Sequence, residues 1–255
     1  MLFERAIIKA CAFVDESLSQ HKCFIELSQN EVWVKLLSID HVRDADEKAL
    51  DDFALKLKET REYEFLLKSL FPLVETIKTS GSSKQFLKPY AHTLKDRFER
   101  GAKRMLLFKE DAKAEGKDEL TTLRKAFVYM GLFESSVTNL IDLVLMIFVV
   151  NHHDFYVYNN RAYARSLDDL DNASLGEKLA FLNYHDLRIF SQNLNKDLRN
   201  KVAHMDFEVN EDGTISVGQQ KFDLRYEIVK LSAFVLIVGQ VLGSCGVPSL
   251  LKELS

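Results

Sequence analysis

The sequence predicts a mainly α-helical protein, a helical bundle carrying one short β-hairpin. Three observations predict it. Only 10 Gly and 3 Pro occur in 255 residues, too few for a fold rich in turns. The chain is 47% hydrophobic and 28% charged, the ordinary balance of a globular protein with a real core. Helix-start signatures recur: Ser28 with Glu31, Ser82 with Gln85 and Ser174 with Glu177 fit capping boxes, and Asp44 with Glu47 is an acidic variant.

Taken in chain order, a first helical block runs to about residue 79. Leu50, Phe53 and Leu57, then Phe65, Leu66, Leu70 and Leu73, fall at spacings that suit amphipathic helices. Thr79-Ser80-Gly81-Ser82-Ser83 reads as a linker to the next helix. Residues 84–104 hold seven basic side chains against two acidic ones. Within it Lys95, Arg97, Arg100 and Arg104 are candidate contacts to a nucleic-acid backbone; the other reading is a solvated helix face. Phe98 reads as core.

A charged stretch at 109–119 divides a helical N-terminal region of unknown role, 1–115, from a second unit, 116–255. A long helix then spans about Leu120 to Val150. Past Val137 it is apolar on all sides apart from Asp142, which calls for burial on most faces. The polar and aromatic stretch from Asn151 to Asn172 reads as an irregular connection. Helices resume at Ser174 and near Asp186, the latter with Leu187, Leu194, Leu198 and Val202 on one face. Phe207 and Val209, the pair Asp212-Gly213, then Ile215 and Val217 give the hairpin signal. The final helix starts near Asp223 and carries Leu224, Ile228, Leu231, Val235 and Val238.

Leu231 to Leu251 is uncharged and long enough to span a bilayer. Gln240, Gly243, Ser244, Gly246 and Pro248 interrupt it, so it reads as a core or subunit-interface helix, with no membrane expected. Gly243 to Gly246 reads as a helix terminus. The beginning of the chain does not read as a secretory signal. Cys11, Cys23 and Cys245 form no CxxC pair, the usage of a reduced, cytoplasmic compartment. The net charge of −4 supplies no overall basic field.

The chemistry concentrates in Arg199-Asn200-Lys201-Val202-Ala203-His204. It closes an amphipathic helix, precedes the hairpin, and is followed by a strongly apolar helix. On a straight helix Asn200 and His204 share a face, whereas Arg199 and His204 are about 140° apart. They converge if the helix ends near Ala203, if the arginine side chain wraps, or if a second chain contributes. In the plainer reading, Arg199 is a surface cation near a helix C-terminus and His204 caps the last turn.

This order of elements resembles the HEPN superfamily, whose signature is Arg, four to six residues, then His, often with Asn, Asp or His directly after the Arg. Arg199, Asn200 and His204 match those positions. The resemblance covers roughly 120–250 and implies a HEPN-like helical domain there. It further implies a metal-independent endoribonuclease, of toxin or defence-effector kind, with Arg199, Asn200 and His204 catalytic and Lys201 beside them on RNA. No cofactor or metal is implied. Two protomers bring two motifs into one cleft in that family, so a homodimer is expected, together with an antitoxin or regulatory protein. The alternative is a non-catalytic helical module that dimerises or binds RNA or protein.

The residue types suit the chemistry. Cleavage at a ribose 2′-hydroxyl needs a proton carrier that works near neutrality, which His supplies. It also needs a fixed cation for charge building on the phosphoryl oxygens, which Arg supplies. His152-His153-Asp154 holds metal-ligand types but reads as a helix-end cluster, Cys11 and Cys23 near His21 lack a second pair, and His185-Asp186 is at most a local pair.

Overall fold

The computed structural model describes residues 58, 60–107, 116–152, 155–157, 162–164 and 166–255. Among them the protein is a bundle of helices with two small antiparallel sheets at its periphery. The helix starts expected at Ser28 and Asp44, and Cys11, His21 and Cys23, lie outside the described residues.

Helix α1 (Arg61–Thr79) begins where the Thr60 side chain accepts from the Tyr63 N–H at 3.2 Å. Tyr63, Leu66, Leu70, Val74 and Ile77 repeat at helical spacing and are all buried. The expected linker shrinks to one residue. Ser80 is extended, its hydroxyl accepts from the Ser83 N–H at 3.2 Å, and α2 (Gly81–Leu107) begins at once. A side-chain oxygen two positions earlier than the expected Ser82 therefore starts this helix. Leu87, Ala91, Leu94 and Phe98 turn inward along α2.

The long helix expected over 120–150 runs from Glu119 to His152 with one defect. Asp118 caps its first part, α3 (Glu119–Leu132), by accepting from the Thr121 N–H at 3.0 Å. A π-helical turn, Phe133–Val137, joins it to α4 (Thr138–His152). The defect sits where α2 crosses. The Ser136 hydroxyl donates to the Gly101 carbonyl at 2.9 Å, and a Cβ on Gly101 would come within 3.0 Å of the Ser135 carbonyl oxygen. Only glycine at 101 lets the two backbones approach this closely. One extra residue in the turn also rotates the exposed face of α3 relative to α4, and this rotation sets the direction of Glu134.

Past α4 the structure departs from expectation. The stretch 151–172, expected as irregular, contains an antiparallel pair of β1 (Phe155–Val157) and β2 (Ala162–Ala164), then α5 (Leu167–Asn172). Next comes α6 (Leu175–Tyr184), started by the expected capping box: the Glu177 N–H donates to the Ser174 hydroxyl at 3.3 Å while the Glu177 carboxylate accepts from the Ser174 N–H at 2.7 Å. Two short helices follow, α7 (Ile189–Asn193) and α8 (Lys196–Ala203). The expected hairpin is the first half of a three-stranded meander, β3 (Glu208–Val209), β4 (Ile215–Val217) and β5 (Gln220–Phe222). Gly213 makes the first turn at φ 80° and Gly218 opens the two-residue second turn at φ 59°.

Helix α9 (Leu224–Ser244), which starts after Asp223 as expected and is capped by its side chain, and α10 (Val247–Leu254) close the bundle. Gly246 breaks the apolar run between them at φ 76°, a left-handed position where a residue with a side chain would be strained. Helices α3–α4 and α9 are each long and apolar enough to cross a membrane by composition, yet 83% and 72% of their apolar windows are buried inside the fold. One core runs from Tyr63 on α1 to Leu251 on α10. The boundary expected at 115 falls within 108–115, outside the described residues; the described helices on both sides of it share that core.

Asp142, the one charge in the apolar stretch, accepts from Lys178 Nζ of α6 at 2.6 Å, with both side chains about 95% covered. Arg97 Nη1 of α2 lies 3.6 Å from the other Asp142 oxygen and reaches the exposed Asp171 by two bonds of 2.5 and 2.6 Å. The network ties α2, α4, α5 and α6 together. Burial pushes the Asp142 carboxyl up, and Lys178 and Arg97 pull it back. Arg97 holds the Asp171 carboxyl below the usual carboxylate range. The sign for Asp171 follows: its folded form binds a proton less readily than the unfolded one, so its stabilisation is present above the ordinary carboxylate pKa and is lost as pH falls through the lowered value. Asp171→Asn is therefore expected to flatten the acid side of a melting-temperature profile taken between about pH 5 and 2.

Candidate functional site

Helix α8 carries the motif. The Asn195 side chain caps it by accepting from the Leu198 N–H at 2.9 Å, and the Tyr129 hydroxyl of α3 donates to the Asn195 carbonyl at 3.5 Å. Leu198 and Val202 are buried against the core, so α8 is pinned to α3 along one side. At 100° per residue this puts Arg199 on a flank and Asn200 and His204 on the outer face.

The helix ends at His204. The Met205 N–H donates to the Val202 carbonyl at 3.1 Å and the Asp206 N–H to the Lys201 carbonyl at 2.8 Å, the two bonds of a Schellman end. Met205 sits at the left-handed position, φ 54°, where glycine is the usual residue. A side chain there costs roughly 1–2 kcal/mol. Met205→Gly is expected to raise stability by about 1 kcal/mol, read as a higher denaturant midpoint with an unchanged slope.

Arg199 is about three-quarters covered. Its Nε donates to Glu134 of the π turn at 2.9 Å, its Nη2 bonds the same carboxylate oxygen, and its Nη1 donates to the Asn200 side-chain oxygen at 3.0 Å. The side chain thus wraps toward the outer face. His204 is exposed at the C-cap, one turn beyond Asn200. The nearby Asp206 carboxyl is held below the usual range, chiefly by its bond from Lys201. Lys201 itself is exposed and paired with Asp206.

So α8 brings together Arg199 and Asn200, with His204 on the same outer side. Glu134 was not expected from the sequence. The signal available was a lone acid interrupting an apolar helix at Leu132-Phe133-Glu134, and nothing local says which way it turns. Above Glu134, Leu120, Leu123, Phe127 and Met130 form the outward stripe of α3; Leu120 and Phe127 are 60% and 65% exposed.

The basic window of α2 divides. Arg97 is committed to the Asp142–Asp171 network, and Lys84 donates to Glu253 of α10 at 2.9 Å. Lys88 is exposed, Lys95 is half-buried, and Arg100 is exposed with its Nε donating to the Asp96 carbonyl at 3.2 Å. Arg104 lies on the α2 backbone, its side chain outside the described residues. Phe98 is core, as expected. His185 packs at a tilt against Phe148 and Phe181, with ring centroids 4.7 and 4.4 Å away. Cys245 is buried, which pushes its thiol up to about 11. No group of three or more metal-ligating side chains occurs among the described residues; His153 and Asp154 lie outside them.

The chain matches no protein-family model, no curated protein and no solved structure.

Proposed function

We propose that this chain is a metal-independent endoribonuclease of HEPN type, acting in the cytoplasm as a homodimer and serving as a toxin or defence effector. One observation carries the reading: Arg199 is held by Glu134 and Asn200 on the same short, well-anchored helix whose C-cap is the exposed His204. Fixed orientation of a guanidinium, with an imidazole free to meet solvent and substrate, is what a transphosphorylation site requires.

In this reaction the RNA 2′-oxygen attacks the adjacent phosphorus and the bond to the 5′-oxygen breaks. The 2′-hydroxyl proton leaves to a base, and the departing 5′-oxygen takes up a proton from an acid. His204 fills one of these proton roles, and a second copy of the motif in a dimer fills the other. Arg199 stabilises the charge on the non-bridging oxygens, exchanging part of its pairing with Glu134 for the phosphate. That exchange is inexpensive, because a partly exposed ion pair is worth only about 0–1 kcal/mol. The products are a 2′,3′-cyclic phosphate and a 5′-hydroxyl end. The test is incubation of the purified protein with end-labelled RNA in excess EDTA. Cyclic-phosphate fragments are expected; intact RNA across a wide range of sequences overturns the reading.

A second reading, a non-catalytic module that dimerises or docks RNA or a regulatory protein, is favoured by two features. Glu134 already occupies the Arg199 fork, and the α3 stripe is unusually apolar for an exposed face. This reading predicts RNA or protein binding without turnover. In both readings the α3 stripe serves the homodimer. Phe127→Glu is expected to shift the dimer to a monomer in light scattering, with the helical circular dichroism unchanged.

A further inference from the structure

A cavity of about 570 Å³ opens between the first turn of α1, the turn from α6 into α7, α7 itself and the first half of α9. It has no part in the chemistry assigned to α8. Arg61, Arg188 and Lys230 converge on it from three different elements. Among the described residues none of the three forms an ion pair or a side-chain hydrogen bond; burial pushes the nearby Glu227 carboxyl up, and Lys230 only partly offsets this. The position of Arg188 is fixed by the chain. Helix α6 ends in a Schellman turn, with the Leu187 N–H on the Leu182 carbonyl at 2.8 Å and Asp186 at φ 61°, two residues before Arg188.

The remaining lining is what makes the cavity selective. Glu62 also lines the cavity, and its carboxylate can accept from a hydroxyl or an amine on the occupant. Phe65, 43% exposed, and the half-buried Tyr226 add a flat apolar wall. Asp186 also faces the cavity and leaves the net lining charge at plus one, from three cations less two acids. A simple anion brings Glu62 no donor, and a simple cation is repelled by the three basic groups. A ligand carrying both a phosphate and a donor group satisfies each of them.

We infer that this cavity binds a phosphate monoester with a hydroxyl- or amine-bearing body. Arg188, Arg61 and Lys230 take the phosphate, which guanidinium forks hold well, and Glu62 takes the donor. The body lies against Phe65 and Tyr226. A sugar phosphate and a nucleotide share this chemistry, and they differ in how far they use the aromatic wall. The inference does not rest on the nuclease reading.

The experiment is calorimetric titration of the full chain with adenosine 5′-monophosphate, ribose 5-phosphate and inorganic phosphate. Saturable binding of at least one organic phosphate is expected, at a Kd in the range of about 10 μM to 1 mM. Tighter binding of the nucleotide assigns the wall to a base, and equal binding assigns the cavity to a sugar phosphate. Arg188→Glu with Lys230→Glu is expected to weaken binding about tenfold or more, whereas the distant control Lys252→Glu and the motif variant His204→Ala leave it unchanged. Should the double charge reversal not fold, the exposed Phe65→Ser replacement is expected to weaken the nucleotide and spare the fold. No saturation up to about 10 mM, inorganic phosphate as tight as either organic ligand, or an equal loss in the Lys252 control overturns the inference.

Discussion

Asp142→Ala is expected to cost about 3–5 kcal/mol of folding stability, read from urea denaturation followed by circular dichroism. Removing the carboxylate leaves Lys178, only 5% exposed at its side chain, with its charge buried and its nearest partner gone. The ammonium must then either stay desolvated or give up its proton, and both are costly. Removing both members is expected to be far milder. Asp142→Leu with Lys178→Met puts apolar volume where the ions were and recovers most of the loss, since a buried ion pair barely repays the desolvation of its members. A double variant as unstable as Asp142→Ala would show that the site needs the pair itself, as a fixed register between α4 and α6. Arg97→Ala is expected to cost less, because its main partner, Asp171, is 40% exposed and can return to water.

His204→Ala and Arg199→Ala are each expected to lower RNA cleavage in EDTA by about a thousandfold, the scale of losing a proton carrier or an oriented cation. His204→Ala is expected to leave the melting temperature within a degree or two, because His204 is exposed, and Arg199→Ala to lower it by a few degrees, because its ion pair with Glu134 is only partly open to solvent. Lys201→Ala separates binding from chemistry. With its ammonium shared only with Asp206, it is expected to raise KM and leave kcat unchanged. A folded His204→Ala protein that still cleaves at the parental rate removes His204 from the mechanism, and with it the nuclease reading of α8.

Much of the helical architecture is legible in single residues. Ser174 with Glu177, Asp223 before Leu224, and the buried spacing of Leu198 and Val202 all act locally, so a cap or a stripe announces itself within four positions. The shortfalls have physical causes too. Ser82 was a good cap by type, but Ser80, where the backbone is extended, is the residue able to accept from an N–H three positions on. The strand β5 was signalled by Gly218-Gln219, a Gly-X pair suited to a tight hairpin turn, yet Gln220-Lys221-Phe222 is too short and too polar to show a period. The pairing of 155–157 with 162–164 was missed although Phe155-Tyr156-Val157 favours a strand, because three residues are too few to show a period. The basic window on α2 looked uniform in sequence, and only the fold separates Arg97, turned inward to Asp142 and Asp171, from the exposed Lys88 and Arg100.

The order and type of most elements, the capped helix starts, the burial of the two apolar helices and the placing of Arg199, Asn200 and His204 at a helix end were determined by the chain itself, because periodicity and caps act over one or two turns. Tertiary structure alone decided the π turn that aims Glu134 at Arg199, the pairing of Asp142 with Lys178 across 36 positions, and the meeting of Arg61, Arg188 and Lys230 around one cavity. Each of these joins groups from different helices, and such an encounter depends on how helix faces pack, which no local pattern of residues encodes.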